Sequence, residues 1–176
     1  MRRRVTGKRR IDEHMAGIIE TALLFIGPSY VANAAPLVFG GGRPLDSNRL
    51  FMDGRPIFGT HKTVRGFVAG IIAGSLVGFG ESLVEPRLAL AGLAISLGAV
   101  LGDLIGAFFK RRLDMKPGRL FPVVDQLDFV LGALVVSYPL FPMGLLSVLI
   151  VVVVTPPIHL GTNLGAYLLG MKKTYW

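Results

Sequence analysis

Four stretches of this chain carry no charged residue or only one: 21–42, 66–80, 88–109 with Asp103 as the sole interruption, and 129–171. A helix needs about 20 apolar residues to cross about 30 Å of hydrocarbon at about 1.5 Å per residue. Runs of that length, in a chain that is 52% hydrophobic and 17% charged, exceed what one soluble core uses. The expected fold is an all-α integral membrane protein with about five transmembrane helices and two basic cytoplasmic loops. Five spans within 176 residues leave only loops, tails and short connections, so one membrane-embedded domain, 1–176, is expected. There is no cysteine, hence no disulfide framework and no thiolate chemistry; His14, His61 and His159 are too few for a histidine-rich metal site. The net charge of +8 belongs beside apolar spans, where it fixes topology against an anionic membrane face, and nucleic acid is not expected as a partner.

The spans are expected at Met15–Phe39, bent or broken by Pro28 and Pro36, then from Thr63 to Ser82, Pro86 to Phe109, Pro122 to Pro139 and Gly144 to Met171. Gly66, Gly70, Gly74 and Gly78 form a ladder at four-residue spacing in the second, and Gly98, Gly102 and Gly106 repeat it in the third. Residues i and i+4 share a helix face, so each ladder admits another helix closely. The two faces are expected to pack together, or to join two copies in a homodimer. Loop 43–65 carries Arg43, Arg49, Arg55, Lys62 and Arg65, and loop 110–119 carries Lys110, Arg111, Arg112, Lys116 and Arg119. With Lys172 and Lys173 these basic residues place both loops and the C-terminus in the cytoplasm of a cell membrane, although the basic tail RRRVTGKRR, on the other side in this scheme, argues the opposite way.

The chemistry concentrates in the two loops. Three consecutive glycines and five cations in residues 40–67 suit a cover that brings backbone amides and positive charge to phosphate; the same composition also fits a solvated loop that sets topology. Lys62, Thr63 and Arg65 stand out because they lie where loop becomes helix, and a helix N-terminus favours an anion. No Walker pattern is present, which excludes a P-loop nucleotidase. In the other segment, Asp103 lies inside an apolar span, where a lone carboxylate costs about 2.5 to 3.5 kcal/mol and needs a partner. Lys110, seven positions on, lies on roughly the same face. Asp125 and Asp128, spaced i and i+3, point the same way. Three carboxylates facing ten loop cations describe a divalent-cation site for Mg²⁺ or Mn²⁺ within a phosphate site, or else ion pairs of Asp103 and Asp125 with Lys110 or Arg111. Asn33, in the proline-bent span, contacts a lipid headgroup or caps broken backbone.

The segments YVANAAP at 30–36, RPLD at 43–46, DGRPIFGTHKTVRGF at 53–67, GDLIGAFFKRR at 102–112 and KPGRLFPVVDQLDFVLGA at 116–133 resemble the archaeal CDP-archaeol synthase family, relatives of the CDP-diacylglycerol synthases. Gly102-Asp103, Lys110-Arg111, Lys116 and Asp125-x-x-Asp128 fall where the broader cytidylyltransferase signature has its Asp, Lys-Arg, Lys and paired Asp. The chain departs from the bacterial pattern at Phe121-Pro122-Val123-Val124 and at Gln126, changes that are similar to the archaeal branch.

The resemblance implies a Mg²⁺-dependent enzyme of membrane lipid synthesis. CTP and a diether lipid phosphate, 2,3-bis-O-(geranylgeranyl)glycerol 1-phosphate, would be its substrates, and pyrophosphate would be released. It makes Asp125 and Asp128 metal ligands, Asp103 a further ligand or a carboxylate behind them, and Lys62, Arg65, Lys110 and Arg111 phosphate-binding. The competing reading from another class is a transporter or channel for an anionic solute, since an intramembrane Asp beside basic loops also suits an ion pathway.

Overall fold

The computed structural model describes residues 2–115, 121 and 123–171. Lys116, Arg119, Pro122, Lys172 and Lys173 lie outside the described residues. Five helices follow one another: α1 (Arg2–Phe39), α2 (Val64–Glu81), α3 (Leu88–Arg112), α4 (Val124–Ser137) and α5 (Leu145–Leu168). The all-α membrane architecture expected from the charge-free runs is present. Four helices, all but α4, are long and apolar enough to span a bilayer. At 14 residues α4 is about 21 Å long, shorter than the hydrocarbon core and shorter than the span expected from Pro122 to Pro139.

The basic tail is not a separate segment: α1 is helical from Arg2, and its 38 residues make a rod about 57 Å long. Nor do the prolines break it. Pro36 removes the donor that the Ala32 carbonyl would have had, and that carbonyl lies 2.7 Å from where a Cβ on Gly70 would sit. Beside Pro28, Ser29 Oγ donates back to the carbonyls of Phe25 (2.9 Å) and Ile26 (3.1 Å). The carbonyl that Pro36 frees is thus covered by α2.

The two glycine ladders do not meet, contrary to expectation. Gly66, Gly70, Gly74 and Gly78 are the buried residues of α2, and they seat it between α1 and the first half of α3. A Cβ on Gly74 would lie 2.3 Å from Ser96 Oγ, and one on Gly78 would lie 2.5 Å from the Gly92 Cα. Gly98, Gly102 and Gly106 face α4 instead, against Gly132, Ala133 and Asp128. The reason is angular: Gly98 follows Ser96 by two residues, about 200° round the helix, so α3 offers small-residue stripes to opposite neighbours. Both ladders are consumed inside the chain, which leaves neither face for the homodimer expected through them. Phe25, Leu88, Ile95, Phe129, Val130 and Val151 fill the remaining interior.

Candidate active site

The loop between α1 and α2 folds onto the end of α3. Its sequence Leu45-Asp46-Ser47-Asn48 turns through positive φ at Ser47 and Asn48 (53° and 60°) and is tied by Asp46, which is 6% exposed. Asp46 Oδ1 accepts from the Asn48 N–H (3.0 Å), and Oδ2 accepts from the N–H groups of Phe58 (2.9 Å) and Gly59 (3.0 Å). Burial opposes its ionisation, but the donors from Phe58, Gly59 and Asn48 outweigh it, holding the carboxyl below the usual carboxylate range. The loop then enters α2 through Thr63, whose Oγ1 accepts from Gly66 N (3.1 Å) and Gly41 N (3.2 Å). Thr63 therefore serves as the helix cap, with only its hydroxyl hydrogen left to offer a ligand.

That entry directs Lys62 towards α3. Its Nζ donates to both oxygens of Asp103, at 2.6 and 2.5 Å. A second pair joins α3 to α4: Lys110 Nζ donates to Asp125 at 2.9 and 2.7 Å, and Asp125 also accepts from the Phe121 N–H (2.9 Å). Lys110 thus pairs with Asp125 and not with Asp103, its neighbour two turns back. The side chains of both pairs are less than a third exposed.

Asp128 completes the cluster in a different state. Oδ1 accepts from the Phe129 N–H at 2.6 Å, while Oδ2 fills the space left by Gly106, 2.0 Å from where a Cβ there would be. Asp103, Lys62 and Asp125 all lie within electrostatic reach of it. Helix α4 begins just after Val123, whose φ of 66° is strained for a β-branched residue and turns the chain sharply into the helix that carries both carboxylates.

Five of the residues expected at the site, Lys62, Asp103, Lys110, Asp125 and Asp128, are therefore brought together. Arg111 lines a neighbouring cavity of about 430 Å³, together with Asp46, Asn48, Arg55, Gly59 and Thr60, and its Nε is buried without a hydrogen-bond partner. Lys62, Thr63 and Asp103 line a smaller cleft with Pro36 and His61. Arg65 is exposed on the first turn of α2 and is not part of either wall. Asn33 is partly buried, one turn before Pro36.

Among the described residues no three His, Asp or Glu side chains form a ready-made metal cage. Mg²⁺ seldom requires one, since it commonly takes one or two carboxylates plus substrate phosphates. Asp103 and Asp125 are each held by a lysine, whereas Asp128 makes no salt bridge among the described residues. That all-oxygen donor set fits a hard divalent ion.

Two residues of the site were not singled out by sequence. Asp46 has a local signal, an Asx turn before Ser-Asn. Arg112 has none: its guanidinium lies 4.8 Å from the ring centroids of both Phe51 and Phe108, and Phe51 is far away in the chain.

Comparison with known proteins points one way. The family model described as CarS-like, CDP-archaeol synthase, matches residues 15–176. The CDP-archaeol synthase of Pyrococcus furiosus is 42% identical over 161 residues, covering 88% of this chain and 96% of that protein. That of Methanopyrus kandleri is 43% identical over 159 residues, covering 88% and 91%. A solved structure described as an intramembrane enzyme for archaeal membrane lipids biosynthesis is 41% identical, with a TM-score of 0.76 over 81% of this chain and 92% of that one.

Proposed function

The chain belongs to the CDP-archaeol synthase family, and from that premise we propose that it transfers the cytidylyl group of CTP to 2,3-bis-O-(geranylgeranyl)glycerol 1-phosphate, releasing pyrophosphate. The observation that carries this reading is the convergence of two Lys–Asp pairs and Asp128 at one end of the bundle, beside a cavity lined by Arg55 and Arg111. An oxygen of the lipid phosphate attacks the α-phosphorus of CTP, and the bond from that phosphorus to the pyrophosphate oxygen breaks. The nucleophile is already an anion, so no strong general base is needed. The chemical demand is to bring two anions together and to stabilise the departing one.

Lys62 and Lys110 are the ammonium groups that meet this demand, each oriented by its aspartate, and Arg111 adds charge from the cavity wall. Asp125 and Asp128 would hold Mg²⁺, with Asp103 as a further ligand or behind them. The bound ion would neutralise α-phosphate and pyrophosphate charge. We assign the whole chain as one catalytic unit, with this end of the bundle facing the cytoplasm, where CTP is available. The transporter reading has no counterpart among the relatives named above.

Purified protein in detergent, given labelled CTP, Mg²⁺ and either the diether or a diacyl lipid phosphate, tests the reading. The expected result is CDP-lipid and pyrophosphate in equal amounts, dependent on Mg²⁺ and favouring the diether. Near-wild-type activity in Asp128→Asn would remove Asp128 from the site, and no incorporation of label with either lipid would end the proposal.

A further inference from the structure

We propose that Arg112 is a positioning residue of the nucleotide site: it fastens the 51–57 turn to the end of α3 and so sets where Arg55 and Arg111 stand in the larger cavity. The inference rests on the cytidylyl-transfer reading of that end of the bundle. Phe51 and Phe108 meet edge to face at 5.2 Å, and the Arg112 guanidinium lies 4.8 Å from the centroid of each. Nη1 lies 3.0 Å from Asp53 Oδ1, and Nη2 donates to the Pro56 carbonyl at 2.5 Å. In return the Arg112 carbonyl accepts from Arg55 Nη1. Apart from Phe108, one turn back on α3, these attachments all lead into residues 51–56, and the side chain is only 17% exposed.

Its neighbour points elsewhere. The Nε atoms of Arg111 and Arg112 are both buried without a hydrogen-bond partner, but Arg111 forms part of the cavity wall and Arg112 does not. Adjacent helical residues point about 100° apart, so one arginine faces the ligand space while the other grips the loop that roofs it. The grip depends on shape as much as on charge. A broad, delocalised guanidinium can lie against both rings while pairing with the Asp53 carboxylate and donating to the Pro56 carbonyl, contacts that a compact ammonium does not reproduce together. Without the fastener the turn samples other positions, and nucleotide affinity falls by the fraction of time the competent one is lost.

The test uses the full chain in detergent with Mg²⁺, labelled CTP and the diether lipid phosphate. Arg112→Gln is expected to raise KM for CTP about tenfold, to leave KM for the lipid unchanged, and to change kcat little. Arg112→Lys should give no rescue, although a residue acting through charge on phosphate would be rescued. Adding Asp53→Asn to Arg112→Gln should bring less than the sum of the two single losses, because the Asp53–Arg112 pair is shared by both while the Asp53 bond to the Arg55 N–H is not. Chymotrypsin cleavage at Phe51 should speed up in both single variants. If Arg112→Gln does not fold, Asp53→Asn alone is expected to raise KM for CTP and speed cleavage in the same direction by a smaller factor, since the ring and Pro56 contacts remain. An unchanged KM for CTP in Arg112→Gln, wild-type KM in Arg112→Lys, or fully additive effects with Asp53→Asn would each overturn the assignment. If the wild type makes no CDP-lipid, the cytidylyl-transfer reading and the fastener fall together; if it does, these outcomes remove the fastener alone.

Discussion

Replacing Gly106 with alanine tests whether the seat of Asp128 matters for catalysis separately from folding. The new Cβ would lie 2.0 Å from Asp128 Oδ2 and 2.9 Å from Cγ. Ordinary contacts between non-bonded heavy atoms are about 3.5 Å, so the carboxylate end must move by roughly 1.5 Å. The atoms displaced are the tip of a side chain, so the α3–α4 backbones can stay where they are. Removing a glycine from a helix interior also contributes about 0.8–1.0 kcal/mol in favour of the helix. Thermal unfolding in detergent should therefore change by less than about 1 kcal/mol. Activity should fall by up to about 100-fold, the loss that a 1 Å misplacement can cause.

Gly102→Ala is the contrasting control. Its Cβ would lie 2.2 Å from the Asp128 carbonyl oxygen and 2.9 Å from the carbonyl carbon, so helix backbones must separate. Overpacking of that kind costs about 1–3 kcal/mol and should appear first as lost thermal stability. Initial rates of CDP-lipid formation at saturating lipid, read beside the unfolding curves, distinguish the two. Gly106→Ala that unfolds like the wild type and also turns over like it would refute a catalytic role for the Asp128 position.

Lys62→Met leaves Asp103 without its ammonium partner in a partly buried setting. The expected loss is about 1–3 kcal/mol of stability together with activity, and adding Asp103→Asn should restore stability alone; a double variant no more stable than Lys62→Met contradicts the pairing. The Asp46 carboxyl is held low in the folded loop, so it binds fewer protons there than in the unfolded chain. Its contribution is complete above the unfolded value of about 3.9 and is lost as pH falls through the lower folded value. Hydrogen exchange at the Phe58 and Gly59 amides should therefore be protected at neutral pH and lose protection only in acid. Asp46→Ala should expose both at neutral pH, and equal protection in that variant would show that the carboxylate does not hold the turn.

Helix number and the polar residues that matter were legible because long charge-free runs, and a carboxylate inside one of them, allow few arrangements. Partnering was not legible. Lys110 lies on the same helix face as Asp103, yet its partner Asp125 sits on another helix, brought close by the Gly98–Gly106 stripe. Lys62 reaches Asp103 only because Asp46 and Thr63 shape the loop that carries it, through bonds to backbone groups that leave no periodic trace. The two ladders looked complementary since spacing records which residues share a face, not which neighbour that face meets. Continuity of α1 through two prolines likewise depends on what α2 places against it.

The glycine face of α2 has a mechanical consequence. Each contact point admits glycine alone, so a lengthwise shift of the helix would press a larger side chain into a neighbour's backbone. Phe67 and Ile71 add partial packing, but the fully buried surface is bare backbone. The axial register of α2 is therefore fixed along its whole length, and the Thr63 cap and the Lys62–Asp103 pair start from a rigidly placed helix end. A phosphate that drew Lys62 away from Asp103 would therefore exchange one partner of the ammonium for another without moving the helix that presents it.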